Sequence, residues 1–168
     1  LFANEQDAVA VKLFSAFHRV RARRFEATFV PCKFHRWLFV ALAIVWAADT
    51  GAYFVGRHFG KRKLSPRISP NKTVEGLVGG LGSGVVVAVA FAPLAGASLA
   101  QLPLVALVAF VAVAFSVVGD LFESLLKRHV GAKDSGDLIP GHGGVLDRID
   151  GVIAALPVFA IGKALLGF

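Results

Sequence analysis

Four apolar stretches, each close to 20 residues long, constrain the fold of this chain most strongly, and charged segments flank the first, second and third of them while a neutral segment joins the second to the third. The apolar stretches cover residues 37–56, 76–93, 102–119 and 151–168. A helix rises about 1.5 Å per residue, so about 20 apolar residues cross the roughly 30 Å hydrocarbon core of a bilayer. We therefore predict an all-α fold, a polytopic transmembrane helical bundle.

The composition supports a membrane protein. The 168 residues are 56% hydrophobic and 17% charged, whereas soluble domains carry about a quarter charged residues. The net charge of +7 raises the question of nucleic-acid binding. The basic residues flank the apolar stretches instead of lying on an amphipathic soluble fold, so we expect no nucleic-acid partner. The single Cys32 excludes an internal disulfide.

Charge in the loops predicts the orientation of the spans. Residues 57–75 carry six Lys or Arg and one Glu, which is typical of a cytoplasmic loop. The second and third spans then form a hairpin that returns residues 120–150 to the cytoplasmic side, where we expect their charges to face water.

The N-terminal segment does not fit this topology. Residues 12–36 carry seven Lys or Arg and one Glu, yet a fully crossing first span would place them outside. We predict two parts: residues 1–36, an atypical basic segment that is interfacial or non-native, and residues 37–168, the membrane domain. The sequence opens on Leu1, contains no Met and has no recognisable signal peptide, so we expect a fragment of a longer protein.

Two pairs of carboxylates lie at the ends of spans. Asp120 and Glu123 are three residues apart and share a face if helical, and Asp147 and Asp150 repeat that spacing. Ionisable groups beside a span are costly to keep, and carboxylates combined with phosphates suit a hard cation such as Mg²⁺. The alternative is structural: an ordinary helix end with solvated charges, or Asp147 paired with Arg148 as a helix cap.

A glycine-rich segment, residues 133–151, separates these pairs. Its glycines allow backbone N–H groups to approach a phosphate closely, and Lys127, Arg128 and Lys133 supply cations suited to phosphate oxygens. His142 could contact a phosphate or a metal, although a histidine in such a loop is more often solvated. No second His or Cys stands at zinc spacing, so we reject a zinc site.

The basic loop contains a further motif, "SPNKTVEG". Ser69 and Thr73 could cap the next helix or bind phosphate. Lys72 is the obvious anion contact, with Glu75 as a candidate partner. In the first span, Asp49 lies among apolar residues, and an intramembrane carboxylate is a functional hypothesis by default.

Motifs for other chemistries are missing: the sequence has no Gly-x-Ser-x-Gly, Walker A or Rossmann fingerprint. Carboxylates, a divalent cation, lysines and glycine turns at a membrane surface fit phosphoryl or nucleotidyl transfer, which depends on positioning and charge neutralisation.

The 27 residues "SLLKRHVGAKDSGDLIPGHGGVLDRID", 124–150, resemble the signature of the phosphatidate cytidylyltransferase (CDP-diacylglycerol synthase) family. "WAADTGAYFVGRHFGK" and "SPNKTVEG" resemble its two upstream motifs, in the same order. The resemblance covers residues 37–168 and implies cytoplasmic catalytic loops on a multi-pass enzyme of the inner membrane. That enzyme condenses CTP with phosphatidate to CDP-diacylglycerol and pyrophosphate, with Mg²⁺.

The resemblance also implies residue roles. The catalytic candidates are Asp120, Asp147, Lys133 and Asp150, and the metal candidates are Asp120, Asp147, Glu123 and Asp150. The substrate-binding candidates are Ser69, Lys72, Thr73, Lys127, Arg128, His142 and Arg148. We expect CTP, phosphatidate and membrane lipids as partners and consider a homodimer.

Other functions stay open at this point. One is another CTP-dependent membrane lipid enzyme, either a lipid-alcohol kinase or a CDP-archaeol-type synthase. A cation transporter with Asp49, Asp120 and Asp147 along its ion path is a second, and an inactive fragment is a third.

Overall fold

The computed structural model describes residues 32–131, 144 and 146–168, without the side chains of residues 32–34, 147 and 148. Residues Arg36–Phe168 form one compact unit. Most of the predicted basic segment and most of the glycine-rich segment lie outside the described residues, and the latter part includes Lys133 and His142. The predicted two-part division of the chain therefore stays a prediction.

Four long helices make up most of the described part of the chain. They are α1 (Cys32–Phe59), α2 (Val74–Phe91), α3 (Leu102–His129) and α4 (Leu146–Leu166). Short 3₁₀ turns at Ala92–Ala95 and Leu99–Gln101 join α2 to α3. Within the described ranges, four stretches are long and apolar enough to cross a membrane: His35–Phe59, Val74–Ala95, Leu99–His129 and Ile149–Leu166. The second and third include the 3₁₀ turns next to α2 and α3. The predicted all-α transmembrane bundle is confirmed.

Helix α3 continues well beyond the apolar stretch predicted for it. That stretch ends at residue 119, whereas α3 ends at His129. Its last turns consist largely of good helix formers and place Lys127, Arg128 and His129 at the C-terminus, where cations interact favourably with the helix dipole. Asp120 is therefore a residue within a helix and does not begin a loop.

A β-hairpin between α1 and α2 was not predicted. Strand β1 (Lys63–Ser65) pairs antiparallel with β2 (Ser69–Thr73), with Lys63 opposite Thr73 and a register irregularity before Ser65. A two-stranded hairpin is at best marginally stable alone. The position of this hairpin therefore depends on its contacts with the helices.

Small residues let the first helices approach closely. The buried face of α2 consists of Gly76, Gly80, Gly84 and Ala88, four residues apart along one side. A Cβ on Gly80 would lie 2.9 Å from the carbonyl oxygen of Ala48 in α1. This small-xxx-small pattern is common where membrane helices pack backbone to backbone.

The two ends of the unit differ in chemistry. At one end, Trp37 at the start of the first span lies 6.1 Å from Phe159 and 5.2 Å from Phe168, between ring centroids, and Lys163 lies over its ring. The beginning of α1 thus meets the end of α4, as expected for spans that cross in alternating directions. The charged groups described next occupy the opposite end.

Candidate functional site

An ion pair joins the hairpin to helix α3. Lys72, on β2, places its Nζ against Oδ2 of Asp120. The lysine side chain is 26% exposed and the aspartate side chain 37% exposed, so both remain open to a ligand. The sequence predicted both residues for the site, but as contacts of different ligands, and the structure brings them together.

Close packing of α3 on α4 places Asp150 beside this pair. A Cβ on Gly119, next to Asp120, would lie 2.5 Å from the Cβ of Ala154 and 3.3 Å from the carbonyl oxygen of Asp150. A Cβ on Gly151 would lie 2.6 Å from Oγ of Ser116. The helices therefore cross at Gly119 and Gly151. Gly119 directly precedes Asp120, and Gly151 directly follows Asp150. The carboxylate of Asp150 accepts a bond from the N–H of Gly151, at 2.6 Å.

Helix α1 contributes a third carboxylate. Asp49 is exposed and lies within electrostatic range of Asp120, Asp150 and Lys72. We call these four residues the charged cluster. Three helices and the hairpin each supply one member. Asp49 drew attention in the sequence as an intramembrane carboxylate, but it was not among the predicted catalytic or metal-binding residues.

Glu123 does not face water as expected for residues 120–150. It is 7% exposed, and Nζ of Lys127 lies 3.4 Å from its Oε1, one helical turn further along α3. On the same helix, the hydroxyl of Ser124 lies 3.5 Å from Oδ1 of Asp120. Lys127 thus neutralises a buried carboxylate in this structure, and Glu123 is less accessible to a metal ion than Asp120.

The hairpin contacts two helices: Thr73 caps α2, and the hairpin turn approaches the end of α3. Thr73 is buried, and its Oγ1 accepts a bond from the N–H of Gly76 at 3.1 Å, so it caps α2 as one of the sequence alternatives had it. Ser69 is half-buried in β2. Arg128, exposed near the end of α3, approaches the carbonyl oxygen of Ile68 with its Nε at 3.5 Å. The turn of the hairpin therefore lies against the end of α3.

Glu75 does not pair with Lys72. Its carboxylate accepts bonds from the N–H of Lys61 at 3.1 Å and from the N–H of Arg62 at 3.2 Å. The sequence gave no signal for this, because a side chain that accepts from backbone groups 13 and 14 residues away cannot be read from local spacing.

Asp147 and Arg148 lie in the first turn of α4, but their side chains are outside the described set. Among the side chains that the structure describes, no group of three or more His, Cys, Asp or Glu is placed to hold a metal ion. Asp120 and Asp150 still offer oxygen donors from two crossing helices. Mg²⁺ commonly uses one or two carboxylates and completes its coordination with substrate phosphates and water, so this donor set fits Mg²⁺.

A sequence profile described as the cytidylyltransferase family matches residues 4–166. The chain belongs to this family. Curated relatives include the phosphatidate cytidylyltransferases of Pseudomonas aeruginosa, 53% identical over 123 residues, and Haemophilus influenzae, 50% identical over 126 residues. That of Bacillus subtilis is 48% identical over 121 residues. These matches cover 73%, 73% and 72% of this chain but 45%, 44% and 45% of the relatives.

The fold of this cytidylyltransferase-family chain also resembles a solved structure. That structure is described as an intramembrane enzyme for archaeal membrane lipid biosynthesis, and it matches with a TM-score of 0.55 and 24% identity. The match covers 73% of this chain and 76% of the solved one. At this identity the likeness supports the membrane-helix fold alone.

Proposed function

We propose that the chain carries the nucleotide-transfer site of a phosphatidate cytidylyltransferase. In this reaction CTP and phosphatidate form CDP-diacylglycerol and pyrophosphate. The observation that carries the proposal is the charged cluster, where Lys72 meets Asp120 beside Asp150 at one end of an apolar bundle. The naming of the curated relatives supports the same activity, although the chain spans less than half of their length.

The chemistry follows from charge. A phosphatidate oxygen attacks the α-phosphorus of CTP, a new P–O bond forms, and the bond to the β-phosphate oxygen breaks as pyrophosphate leaves. The attacking phosphate is already anionic near neutral pH, so no strong general base is needed. When bound, Mg²⁺ would neutralise phosphate charge and help to align the reacting groups.

The residues of this chain supply the remaining steps. Asp120 and Asp150 would hold the cation, with Asp147 as a further candidate from the sequence. Lys72 then exchanges its carboxylate partner for a phosphate oxygen of CTP and stabilises the charge that develops on the leaving pyrophosphate. Lys133, Arg128 and His142 remain candidate phosphate contacts, and Ser69 and Arg148 remain candidates for substrate binding.

The apolar surroundings fit a lipid acceptor. Many large apolar side chains of the spans are exposed on the unit, among them Trp46, Phe110, Phe115 and Phe122. In a bilayer this surface faces acyl chains, so a lipid phosphate can reach the charged cluster without leaving the membrane. We propose the cytoplasmic membrane as the location, with the cluster on its inner side. Assembly as a homodimer stays a prediction.

The experiment is a product assay with two acceptors. The purified chain in lipid nanodiscs receives CTP and Mg²⁺, with either phosphatidate or diacylglycerol, and lipid products are followed by mass spectrometry. We expect CDP-diacylglycerol from phosphatidate only, and its loss in Asp120→Asn. Product from diacylglycerol instead, or undiminished product in Asp120→Asn, would contradict the proposal.

A further inference from the structure

We propose that Glu75 is a positioning residue that clamps the base of the hairpin to helix α2 and so holds Lys72 at Asp120. The inference builds on the proposed function, since it concerns the same site. It is carried by the hydrogen bonds that the carboxylate of Glu75 accepts from the backbone just before β1.

The clamp ties two distant parts of the chain together. Oε2 of Glu75 accepts from the N–H of Lys61 at 3.1 Å, and both carboxylate oxygens approach the N–H of Arg62, at 3.3 and 3.2 Å. A third bond runs the other way, from the N–H of Val74 to the carbonyl oxygen of Arg62 at 2.9 Å. The segment entering β1 is thereby fixed to the first turn of α2.

A carboxylate suits this place for two reasons. Bonds from N–H groups to an ionised acceptor are shorter and stronger than neutral ones. Glu75 also lies in the first turn of α2, where negative charge interacts favourably with the helix dipole. The exposed side chain of Arg62 adds positive charge near this carboxylate.

The hairpin is short, so its position depends on its contacts with the helices. Its strands contain three and five residues, and only two residue pairs define their register. Its turn end meets α3 through the long contact of Arg128 with Ile68, at 3.5 Å. Lys72 stands one residue before Thr73, which caps α2. Without the clamp, β1 can move away and Lys72 loses its fixed place.

The test measures hairpin position directly. In a Cys32→Ser background, spin labels at Arg67→Cys on the hairpin turn and Leu126→Cys on α3 report their distance distribution by pulsed electron paramagnetic resonance. We expect a narrow distribution with Glu75, a clearly broader one in Glu75→Ala, and an intermediate width in Glu75→Gln, which keeps one acceptor oxygen. The kcat/KM for CTP should fall about tenfold in Glu75→Ala and less in Glu75→Gln.

A matched control separates positioning from general loosening. Gln101 accepts a bond from the N–H of Ser98 at 2.9 Å, also a side-chain-to-backbone contact, but in the loop between α2 and α3. Gln101→Ala should leave the hairpin distances unchanged. If Glu75→Ala leaves them unchanged too, or if Gln101→Ala broadens them equally, the proposal is wrong.

The distance measurement requires no turnover, so it distinguishes the two proposals. A chain that makes no CDP-diacylglycerol but whose hairpin loosens in Glu75→Ala contradicts the proposed function and supports the clamp. Normal product formation with a distance distribution that is unchanged in Glu75→Ala supports the proposed function and contradicts the clamp. Glu75→Gln keeps the test decisive if Glu75→Ala does not fold.

Discussion

At the scale of single residues, Lys72 and Asp120 neutralise each other's charge. Partly exposed ion pairs contribute only about 0–1 kcal/mol to stability, so this pair adds little to the fold. A cation could replace Lys72 as the partner of Asp120, and a triphosphate could replace Asp120 as the partner of Lys72. We therefore expect changes to the pair to affect ligand handling far more than unfolding.

Replacing Lys72 tests that expectation. Lys72→Met keeps much of the side-chain length and removes the charge, so kcat should fall about 100-fold or more, as when a transition-state donor is lost. The unfolding midpoint in detergent should change by only a few degrees. Lys63→Met, on the same hairpin, is the control and should retain activity. Activity within a factor of three of the parent in Lys72→Met would contradict the role.

Thr73 tests the structural alternative for its motif. Thr73→Ala removes the cap on the N–H of Gly76 and should destabilise the protein by about 1 kcal/mol. Thr73→Ser keeps the hydroxyl and should recover most of that loss. Unfolding curves in detergent for the three proteins measure the difference. Equal stability of Thr73→Ala and the parent would show that the cap contributes nothing.

The sequence predicted much at this scale, but not the partners. Asp120, Asp150 and Lys72 could be picked out because ionisable residues beside apolar stretches stand out against their surroundings. That these three side chains lie close together could not be predicted, because it depends on how α3 crosses α4 and on a hairpin with no sequence signal. The prediction that Glu123 faces water was wrong for a related reason: its burial comes from tertiary packing, which its spacing from Asp120 does not reveal.

Whole elements were predictable where one property dominated. Four long apolar stretches were enough to predict α1 to α4, because only helices of that length suit a bilayer. The hairpin was missed because "KLS" and "SPNKT" are short, polar and contain a proline, so they lack the alternating pattern of a strand. The clamp at Glu75 and the cap at Thr73 replace that missing local preference.

The crossing of α3 and α4 can be tested with one methyl group. In Gly119→Ala the new Cβ would lie 2.5 Å from the Cβ of Ala154, so the helices must separate near Asp120 and Asp150. We expect a loss of about 1–3 kcal/mol in stability and a large fall in activity. Thermal unfolding measures the loss of stability, and the product assay measures the loss of activity.

Gly82→Ala is the matched control for that substitution. Nothing lies within 4 Å of a Cβ at Gly82, also within a membrane helix. Alanine is a better helix former by up to about 1 kcal/mol, so stability should be equal or higher and activity unchanged. If Gly119→Ala behaves like Gly82→Ala, close packing at the crossing does not position the aspartates.

At the scale of the whole unit, the two ends differ in polarity. Trp37, Phe159 and Phe168 meet at one end, and the charged cluster occupies the other, with apolar helices between them. Under the proposed function, this arrangement would keep a lipid and a water-soluble nucleotide within reach of the same carboxylates. It also explains why so many ionisable residues persist in a chain that is 56% hydrophobic.

We predict divalent cation dependence from the carboxylates of the charged cluster. Removing Mg²⁺ with a chelator should abolish product formation, and adding Mg²⁺ back should restore it. Titration of the parent with Mg²⁺ in the presence of CTP, followed by calorimetry, should show binding that weakens at least tenfold in Asp120→Asn. Full activity in the chelated protein would contradict a metal-dependent transfer.

The fate of the phosphates of CTP tests the central claim most directly. Parallel reactions of the purified chain with phosphatidate and Mg²⁺ contain CTP labelled either at the α-phosphate or at the γ-phosphate. Cytidylyl transfer predicts that the α-label enters the lipid product and that the γ-label leaves as pyrophosphate. Transfer of the γ-label to lipid, as in a CTP-dependent kinase, or no α-label in lipid, would contradict it.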